Sequence, residues 1–281
     1  MTAPFAVSQY TTGGQNFERD RDLLTSLGIG AIEVCEAKLN ETHADPQLRS
    51  LADAGLRITS VQPRYHSPFP NSLRARPAEP AERMRRLRRS IGLFGRHAPG
   101  ATLVVNTGLA PGGDLAAAYR TAIREFRGVA RAAADAGVRI GLEPLNPVYM
   151  NTDTFIASLA HADRILDAVD HPAFGLFLDL WHVWEDPQAP RRIAGYGDRL
   201  FGVHLSDWRP PRAFGDRLLP GQGEIPTLTL LRAVRRAGYR GVYTLEIFSD
   251  LRLPDSLWKN PRGTVAAGQK AFERIWRQLC G

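Results

Sequence analysis

Four short apolar segments in the second half of the chain each end in a side chain that can bind a metal ion or carry a proton. These side chains are Glu143, Asp179, His204 and Glu246, and the segments before them have the composition of buried strands. A charged group at the end of a buried strand is costly unless a metal, a partner or a substrate requires it. We therefore predict that the four side chains converge on one divalent metal ion.

The predicted ligand set combines three carboxylates with one imidazole and contains no thiolate. Such a set suits Mn2+, Mg2+, Co2+ or Fe2+, and it also fits Zn2+. Four protein ligands leave two positions free on an octahedral ion, where adjacent oxygens of a hydroxy-ketone could bind. The cation would then polarise the carbonyl group and acidify the neighbouring C–H bond.

The two glutamates, Glu143 and Glu246, have the chemistry of a general acid–base pair. One of them could remove the acidified proton, and the other could return a proton to the substrate. Return to the opposite face of the same carbon is epimerisation, and return to the neighbouring carbon is aldose–ketose isomerisation. Loss of a β-hydroxyl from the same enediolate is dehydration. The residues by themselves leave these three reactions open.

Four more polar side chains are candidates for substrate contact. They are His182, Arg209, Asp207 and His66. His182 and Asp207 each follow a predicted metal ligand by three residues, and Asp207 could instead be a hydrogen-bond partner of the ligand histidine. Arg209 could hold a hydroxyl or a phosphate. Arg217 is a further candidate in an arginine-rich chain, and Glu33 or Glu36 could reach the floor of the pocket.

The elements that must position these residues alternate regularly along the chain. Eight strand-like segments are each followed by a helix-like segment, which predicts a parallel sheet. Eight such units predict an α/β fold with a single (β/α)8 TIM barrel over residues 1–281. The alternative, a doubly wound sheet, lacks a glycine-rich phosphate-binding motif after any strand. In a barrel, the side chains that end strands five to eight surround one mouth.

Composition limits the class of protein. The chain has 281 residues, of which 43% are hydrophobic and 23% charged, as in an ordinary globular protein. No apolar run is long enough to span a membrane, and residues 1–10 do not resemble a secretion signal. The two cysteines, Cys35 and Cys280, suit a reducing compartment. We therefore expect a cytoplasmic protein without a membrane partner.

The formal net charge of +7 raises the possibility of a nucleic-acid partner. Arginine carries nearly all of this charge, which indicates a compositional bias. The densest basic block, at 83–89, keeps apolar residues at Met84, Leu87 and Ile91, which is the spacing of an amphipathic helix. We expect its arginines to lie on a solvated face and do not expect a nucleic-acid partner.

The chain resembles the xylose isomerase-like superfamily of TIM barrels, often described as sugar phosphate isomerases and epimerases. The segments that carry the resemblance are Leu-Glu-Pro-Leu-Asn at 142–146, Asp-Leu-Trp-His at 179–182, Val-His-Leu-Ser-Asp at 203–207, Pro-Gly-Gln-Gly-Glu-Ile at 220–225 and Leu-Glu-Ile at 245–247. The resemblance implies a metal, usually manganese, on the four predicted ligands. It also implies that Glu143 and Glu246 act as the acid–base pair and that His182 contacts substrate.

This resemblance predicts a metal-dependent isomerase or epimerase that acts on a sugar or keto-polyol through a metal-bound enediolate. Ketose 3-epimerases and inosose isomerases are the members it most resembles, so a carbohydrate or cyclitol substrate is expected. The first alternative is a lyase that dehydrates a keto-sugar or inosose. Many members form homo-oligomers, which this chain could also do.

Two departures from the epimerase pattern concern the substrate pocket, and one of them is Pro-Val-Tyr at 147–149, where epimerases usually have an arginine and an acidic pair. Epimerases usually place an arginine six residues after the metal histidine, where this chain has Pro210 and carries Arg209 one residue early. The cluster Trp181, Trp184 and Trp208 suggests a flatter or bulkier substrate. The second alternative is an abasic-site DNA endonuclease of the same fold, which binds three metals. This chain has Asn106 where that enzyme needs a histidine, so the site of one metal looks complete and that of three does not.

Overall fold

Eight parallel strands close into a barrel in the computed structural model, which describes residues 3–213 and 215–281. Each strand pairs with the next along the chain, and the last pairs with the first. The strands are β1 (Phe5–Ser8), β2 (Ala31–Cys35), β3 (Arg57–Gln62), β4 (Thr102–Val105), β5 (Arg139–Leu142), β6 (Phe174–Asp179), β7 (Leu200–Leu205) and β8 (Tyr243–Leu245). The predicted (β/α)8 barrel is therefore confirmed.

The helices surround the barrel and cover the outer faces of the strands. The described residues form α1 (Phe17–Ser26), α2 (Ala44–Asp53), α3 (Pro80–His97), α4 (Leu115–Asp135), α5 (Leu159–Val169), α6 (Leu180–Val183), α7 (Ala189–Ala194), α8 (Thr227–Arg236) and α9 (Pro261–Cys280). Asn16, Asp114 and Ser158 cap three of them by accepting a backbone N–H of the first turn. None of the helices in 3–213 and 215–281 is long and apolar enough to cross a bilayer.

Phe177 of β6 fills the barrel interior directly beside the predicted ligand His204. The two ring centroids are 4.5 Å apart. A Cβ atom added to Gly202 would lie 2.2 Å from Cε2 of Phe177, and one added to Gly141 would lie 2.8 Å from its Cβ. Glycine in β5 and β7 therefore makes room for the phenyl ring that supports the imidazole.

We expect Gly202→Ala to lower the free energy of unfolding by about 1–3 kcal/mol, because the added methyl group overpacks the barrel interior. Urea denaturation of the purified protein measures this change. Gly30→Ala is the matched control, since a Cβ atom at that position meets nothing within 4 Å. Equal stability of the two variants would contradict the tight packing around Phe177.

One arginine of the basic block is buried, which corrects the expectation that all of them lie on a solvated face. Arg83 is 0% exposed and donates to the carbonyl oxygens of Ser67, Arg74 and Pro77 and to the Ser67 hydroxyl. These acceptors all belong to the loop between β3 and α3. Because that loop carries His66 to the pocket described below, Arg83 helps to hold one wall of the site.

Candidate metal and active site

A pocket of about 250 Å³ opens at the C-terminal ends of the barrel strands. Its walls include Glu143 after β5, Glu246 after β8 and the aromatic rings of Tyr10, Tyr149 and Phe248. A larger cavity of about 590 Å³ lies at the opposite end of the barrel, where strands such as β3 and β5 begin, and contacts none of the predicted ligands. The smaller pocket is therefore the candidate active site.

The four predicted metal ligands lie next to one another at this end of the barrel. His204 Nδ1 is 3.2 Å from Glu143 Oε1 and 3.4 Å from Glu246 Oε2. Asp179 reaches the cluster through Arg217, whose Nη1 donates to Asp179 Oδ2 at 2.8 Å and to Glu246 Oε2 at 3.0 Å. All five side chains are buried. The barrel thus brings together groups that are far apart in sequence.

Within 3–213 and 215–281, two groups of side chains have ligand atoms within 4.8 Å of one another. One group is Glu33, His204 and Glu246, and the other is Glu143, Asp179 and His182. The four ligands predicted from the sequence are divided between these groups, and Glu33 and His182 complete them. The short distance between His204 and Glu143 joins the two groups into one cluster.

Glu33 of β2 orients the imidazole of His204. Its Oε2 lies 2.9 Å from His204 Nε2 and accepts a hydrogen bond from Ser60 Oγ at 2.7 Å. Burial alone would raise the pKa of Glu33, but His204 and the hydroxyl group hold it below its ordinary value. Because Nε2 is engaged by Glu33, Nδ1 of His204 faces Glu143 and Glu246, where a metal ion would bind.

We expect Glu33→Gln to weaken metal binding about 10–100-fold, since a carboxylate that orients a ligand histidine contributes on this scale. Isothermal titration of Mn2+ into the metal-free variant measures the dissociation constant. Glu36→Gln is the control, because Glu36 lies one residue beyond β2 but binds Ser90 and the backbone of Arg64. Equal affinity in the two variants would contradict this role for Glu33.

Burial and neighbouring charges shift the pKa values of the three ligand carboxyl groups in different directions. Burial raises the pKa of Glu246 to about 8, although His204 and Arg217 oppose this rise. Burial also raises the pKa of Glu143. It would do the same at Asp179, but the Arg217 guanidinium holds the pKa of that carboxyl at about 2. Asp179 is therefore a permanent anion, and both glutamates can carry a proton.

His182 and His66, two of the predicted substrate contacts, line the pocket. His182 Nδ1 accepts from the backbone N–H of Asn146 at 3.1 Å, which leaves the proton on Nε2, 3.5 Å from Asp179 Oδ2. His66 lies between the carbonyl of Pro63 and the amide of Asn71. Burial lowers the pKa of His182 to about 3 and that of His66 to about 4, so both imidazoles are neutral near pH 7.

Asp207 and Arg209, the other two predicted contacts, lie outside the pocket wall. The Asp207 carboxylate is buried and accepts the backbone N–H groups of Trp208, Gly221 and Ile225. Arg209 is exposed on the same loop. The structure therefore shows Asp207 bracing the loop after β7, and it does not bring Arg209 to the pocket. Trp208 packs against Trp184 away from the pocket wall as well.

Several residues of the pocket wall were not predicted from the sequence. Gln62 ends β3 and Asn106 follows β4, and the Gln62 amide lies 3.4 Å from Glu246 Oε1. The buried Oδ1 of Asn106 has no hydrogen-bond partner in the described part of the chain. In the sequence, candidate residues were chosen as charged side chains at the ends of predicted strands. Including uncharged polar side chains at the same positions would have added these two amides. Arg217, an open candidate from the sequence, joins Asp179 to Glu246.

The charges of the cluster fit a divalent cation. Four buried carboxylates, those of Glu33, Glu143, Asp179 and Glu246, face two basic side chains, His204 and Arg217. With all groups ionised, two negative charges would stay uncompensated, which is unfavourable in a buried site, so a proton on Glu246 or a divalent cation is needed to reduce the charge. A hard or borderline divalent ion suits this oxygen and nitrogen donor set, in agreement with the expectation from the sequence.

Comparison with characterised proteins gives relatives with two kinds of activity. A 3-dehydroshikimate dehydratase from Pseudomonas putida is 29% identical over 245 residues, which are 82% of this chain and 35% of that protein. A D-psicose 3-epimerase from Enterocloster bolteae is 27% identical over 128 residues, which are 45% of this chain and 39% of that protein. The chain thus spans little more than a third of the length of the curated relatives it matches.

Solved structures share the same barrel. The crystal structure of an IolI protein with a zinc atom superimposes with a TM-score of 0.81 at 18% identity, covering 98% of this chain and 99% of that one. This likeness shows the fold. The model of the family described as xylose isomerase-like TIM barrel matches residues 22–275. Since that match covers most of the chain and agrees with the closed barrel, this chain belongs to the xylose isomerase-like TIM barrel family.

Proposed function

We propose that the protein is a divalent-metal-dependent isomerase or epimerase that transfers a proton beside the carbonyl group of a carbohydrate or cyclitol. One observation carries the proposal: the carboxyl groups of Glu143 and Glu246 enter the same pocket from β5 and β8. Two carboxyl groups that can hold a proton are what a two-base proton transfer requires.

The side chains of the cluster have separate tasks in this proposal. Glu143, Asp179, His204 and Glu246 would hold the cation, which supplies polarisation of the substrate carbonyl when bound. One glutamate accepts the proton from carbon, and the other donates a proton to the product. His182 presents its Nε2–H to a substrate oxygen, since its Nδ1 already accepts from Asn146.

The pocket wall suits a hydroxylated ring. Tyr10, Tyr149 and Phe248 offer flat apolar surfaces, and the amides of Gln62 and Asn106 offer hydrogen bonds to hydroxyl groups. The unpartnered Oδ1 of Asn106 is an acceptor that a substrate hydroxyl would satisfy. These features support a small polyhydroxylated substrate with a carbonyl group.

Dehydration is the second candidate, and the relative from Pseudomonas putida favours it because it matches 82% of this chain. Isomerisation and dehydration begin with the same step, which is removal of a proton beside a carbonyl group. They differ in the second step, where an acid either returns the proton to carbon or assists the departure of a hydroxyl group. The carboxyl groups of Glu143 and Glu246 can serve either reaction.

Deuterium exchange tests the shared step, and the products distinguish the second step. The manganese-loaded protein is incubated in heavy water with ketohexoses, keto-inositols and 3-dehydroshikimate, and proton NMR follows the carbon beside the carbonyl. We expect deuterium uptake that chelation abolishes and added Mn2+ restores. An epimer or aldose would indicate an isomerase, and an unsaturated product would indicate a dehydratase. No uptake with any substrate, together with cleavage of abasic-site DNA, would contradict the proposal.

A further inference from the structure

Asp153 is a buried carboxylate of the pocket wall that lies outside the metal cluster. It is 9% exposed, lies in the loop between β5 and α5, and belongs to neither group of potential metal ligands. Its Oδ1 accepts the backbone N–H of Ser72 at 3.0 Å and the Ser72 hydroxyl at 2.6 Å. Its Oδ2 makes no hydrogen bond or ion pair in the described part of the chain. One oxygen therefore braces the neighbouring loop, and the other is available to a molecule in the pocket.

Within residues 3–213 and 215–281, the pocket wall offers no unpaired positive charge to this carboxylate. The basic side chains of the wall are Arg217, His66 and His182. Nη1 of Arg217 donates to Asp179 Oδ2 at 2.8 Å and to Glu246 Oε2 at 3.0 Å. The charge of Arg217 is therefore already balanced by carboxylates of the cluster.

The hydrogen bonds of the two wall histidines show that both imidazoles are neutral. His66 Nε2 lies 2.9 Å from Nδ2 of Asn71, and Asn71 Oδ1 accepts the backbone N–H of Arg74 at 2.8 Å. The second contact fixes the orientation of the amide, so its N–H donates and His66 Nε2 carries no proton. His182 Nδ1 accepts the backbone N–H of Asn146 at 3.1 Å and is unprotonated as well. An imidazole with one unprotonated nitrogen carries no charge.

We propose that Asp153 determines the class of substrate: its Oδ2 accepts a hydrogen bond from a hydroxyl group of an uncharged polyol and excludes substrates with a phosphate or carboxylate at this wall. The inference rests on the proposed function, because it concerns the same pocket. A hydroxyl group can donate to a carboxylate, whereas a phosphate dianion or a second carboxylate offers only acceptors and is repelled. Repulsion between like charges is a general means of excluding a wrong ligand.

The inference separates substrates that the proposed function leaves together. Ketohexoses and keto-inositols are uncharged and present several hydroxyl donors. Their phosphate esters, and 3-dehydroshikimate as a carboxylate, would bring a negative charge to a wall that already contains Asp153, Glu143 and Glu246. We therefore expect an unphosphorylated keto-polyol to react in this pocket in preference to a sugar phosphate or a keto-acid.

The first test compares matched substrates on the manganese-loaded wild-type protein. D-Fructose is paired with D-fructose 6-phosphate, and a keto-inositol is paired with 3-dehydroshikimate. Deuterium exchange gives kcat/KM for each compound. In every pair that reacts, we expect kcat/KM to be at least about tenfold higher for the uncharged member, since the charged member loses a hydrogen bond to a carboxylate. An anionic member that equals or exceeds its uncharged partner would overturn the inference and leave the proposed function intact. No exchange with any of the four would overturn both.

The second test assigns the preference to Asp153. Asp153→Asn keeps an oxygen for Ser72 and replaces the other oxygen and the charge by an amide group. We expect KM for the uncharged substrate to rise about 10–100-fold with little change in kcat, because a hydrogen bond to a charged group is lost. We also expect kcat/KM for the anionic partner to rise, because the repulsion is removed. Damage to the fold would lower both values together, so an unchanged ratio between the two substrates would overturn the inference.

The matched control is Asp114→Asn, in the loop before α4. Asp114 is exposed, accepts the backbone N–H of Ala117 and does not line the pocket, and asparagine caps a helix equally well. This variant should keep the wild-type ratio. Asp153→Asn should bind Mn2+ with the wild-type constant, because Asp153 belongs to neither ligand group. If Asp153→Asn does not fold, Asp153→Ser replaces it under the same criterion, since serine also removes the charge and keeps a hydrogen-bonding oxygen.

Discussion

Replacement of Glu246 or Glu143 by glutamine is expected to reduce the rate of proton exchange beside the substrate carbonyl by about 10²–10⁴-fold. Glutamine keeps the size of the side chain and one of its oxygens but cannot accept or donate the transferred proton. The rate is measured by deuterium uptake at saturating Mn2+, and titration of Mn2+ into each variant shows whether metal is still bound. Glu143 and Glu246 both line the pocket, so each loss should be large.

The matched control is Glu224→Gln, which removes an exposed carboxylate from the loop before α8. It should exchange at the wild-type rate, because Glu224 does not line the pocket. A loss in only one of the two glutamate variants would indicate a reaction with one base. Wild-type exchange in both metal-loaded variants would contradict the assignment of the acid–base pair.

Mn2+ affinity is expected to rise about tenfold to a hundredfold between pH 6 and pH 7, since each released proton contributes a factor of about ten per pH unit. Burial raises the pKa of Glu246 to about 8, so its carboxyl carries a proton below that pH. Burial alone would lower the pKa of His204, but Glu246 and Glu33 raise it well above its ordinary value. Both protons must leave before these groups can donate electron pairs to a cation.

Protons compete with the metal at low pH, and the competition at Glu246 ends as the pH rises above about 8. Asp179 adds nothing to the slope in this range, because its pKa is held at about 2 by the Arg217 guanidinium against the effect of burial. Titrations in two buffers with different ionisation enthalpies count the released protons. A dissociation constant that is the same at pH 6 and pH 8 would contradict the predicted competition.

The barrel and its candidate ligands could be predicted because both depend on local patterns. Apolar strands and amphipathic helices of ordinary length identify eight units, and eight units without a glycine-rich phosphate-binding motif favour a barrel over a doubly wound sheet. The side chains that end strands five to eight are Glu143, Asp179, His204 and Glu246, and the structure brings them into one cluster. If uncharged polar side chains at strand ends are also considered, Gln62 and Asn106 are added to the candidates.

Loops were predicted less well, because a loop does not repeat and its path depends on distant contacts. Arg209 and Arg217 lie on the same loop after β7, and Arg209 was the preferred substrate contact. An antiparallel bridge between Asp207 and Leu218 bends this loop, so that Arg217 enters the cluster and Arg209 stays exposed. Nothing in the spacing of the two arginines distinguishes these outcomes.

The sequence by itself determined the class of fold and the strand ends that carry the chemistry, because periodicity and strand polarity are local properties. Only the tertiary structure decided which polar residues are buried partners. Glu33 orients His204 from the other side of the barrel, and Arg83 is buried by a loop whose carbonyl groups it binds. Such pairings depend on where closure of the barrel and packing of the loops place groups that are distant in sequence.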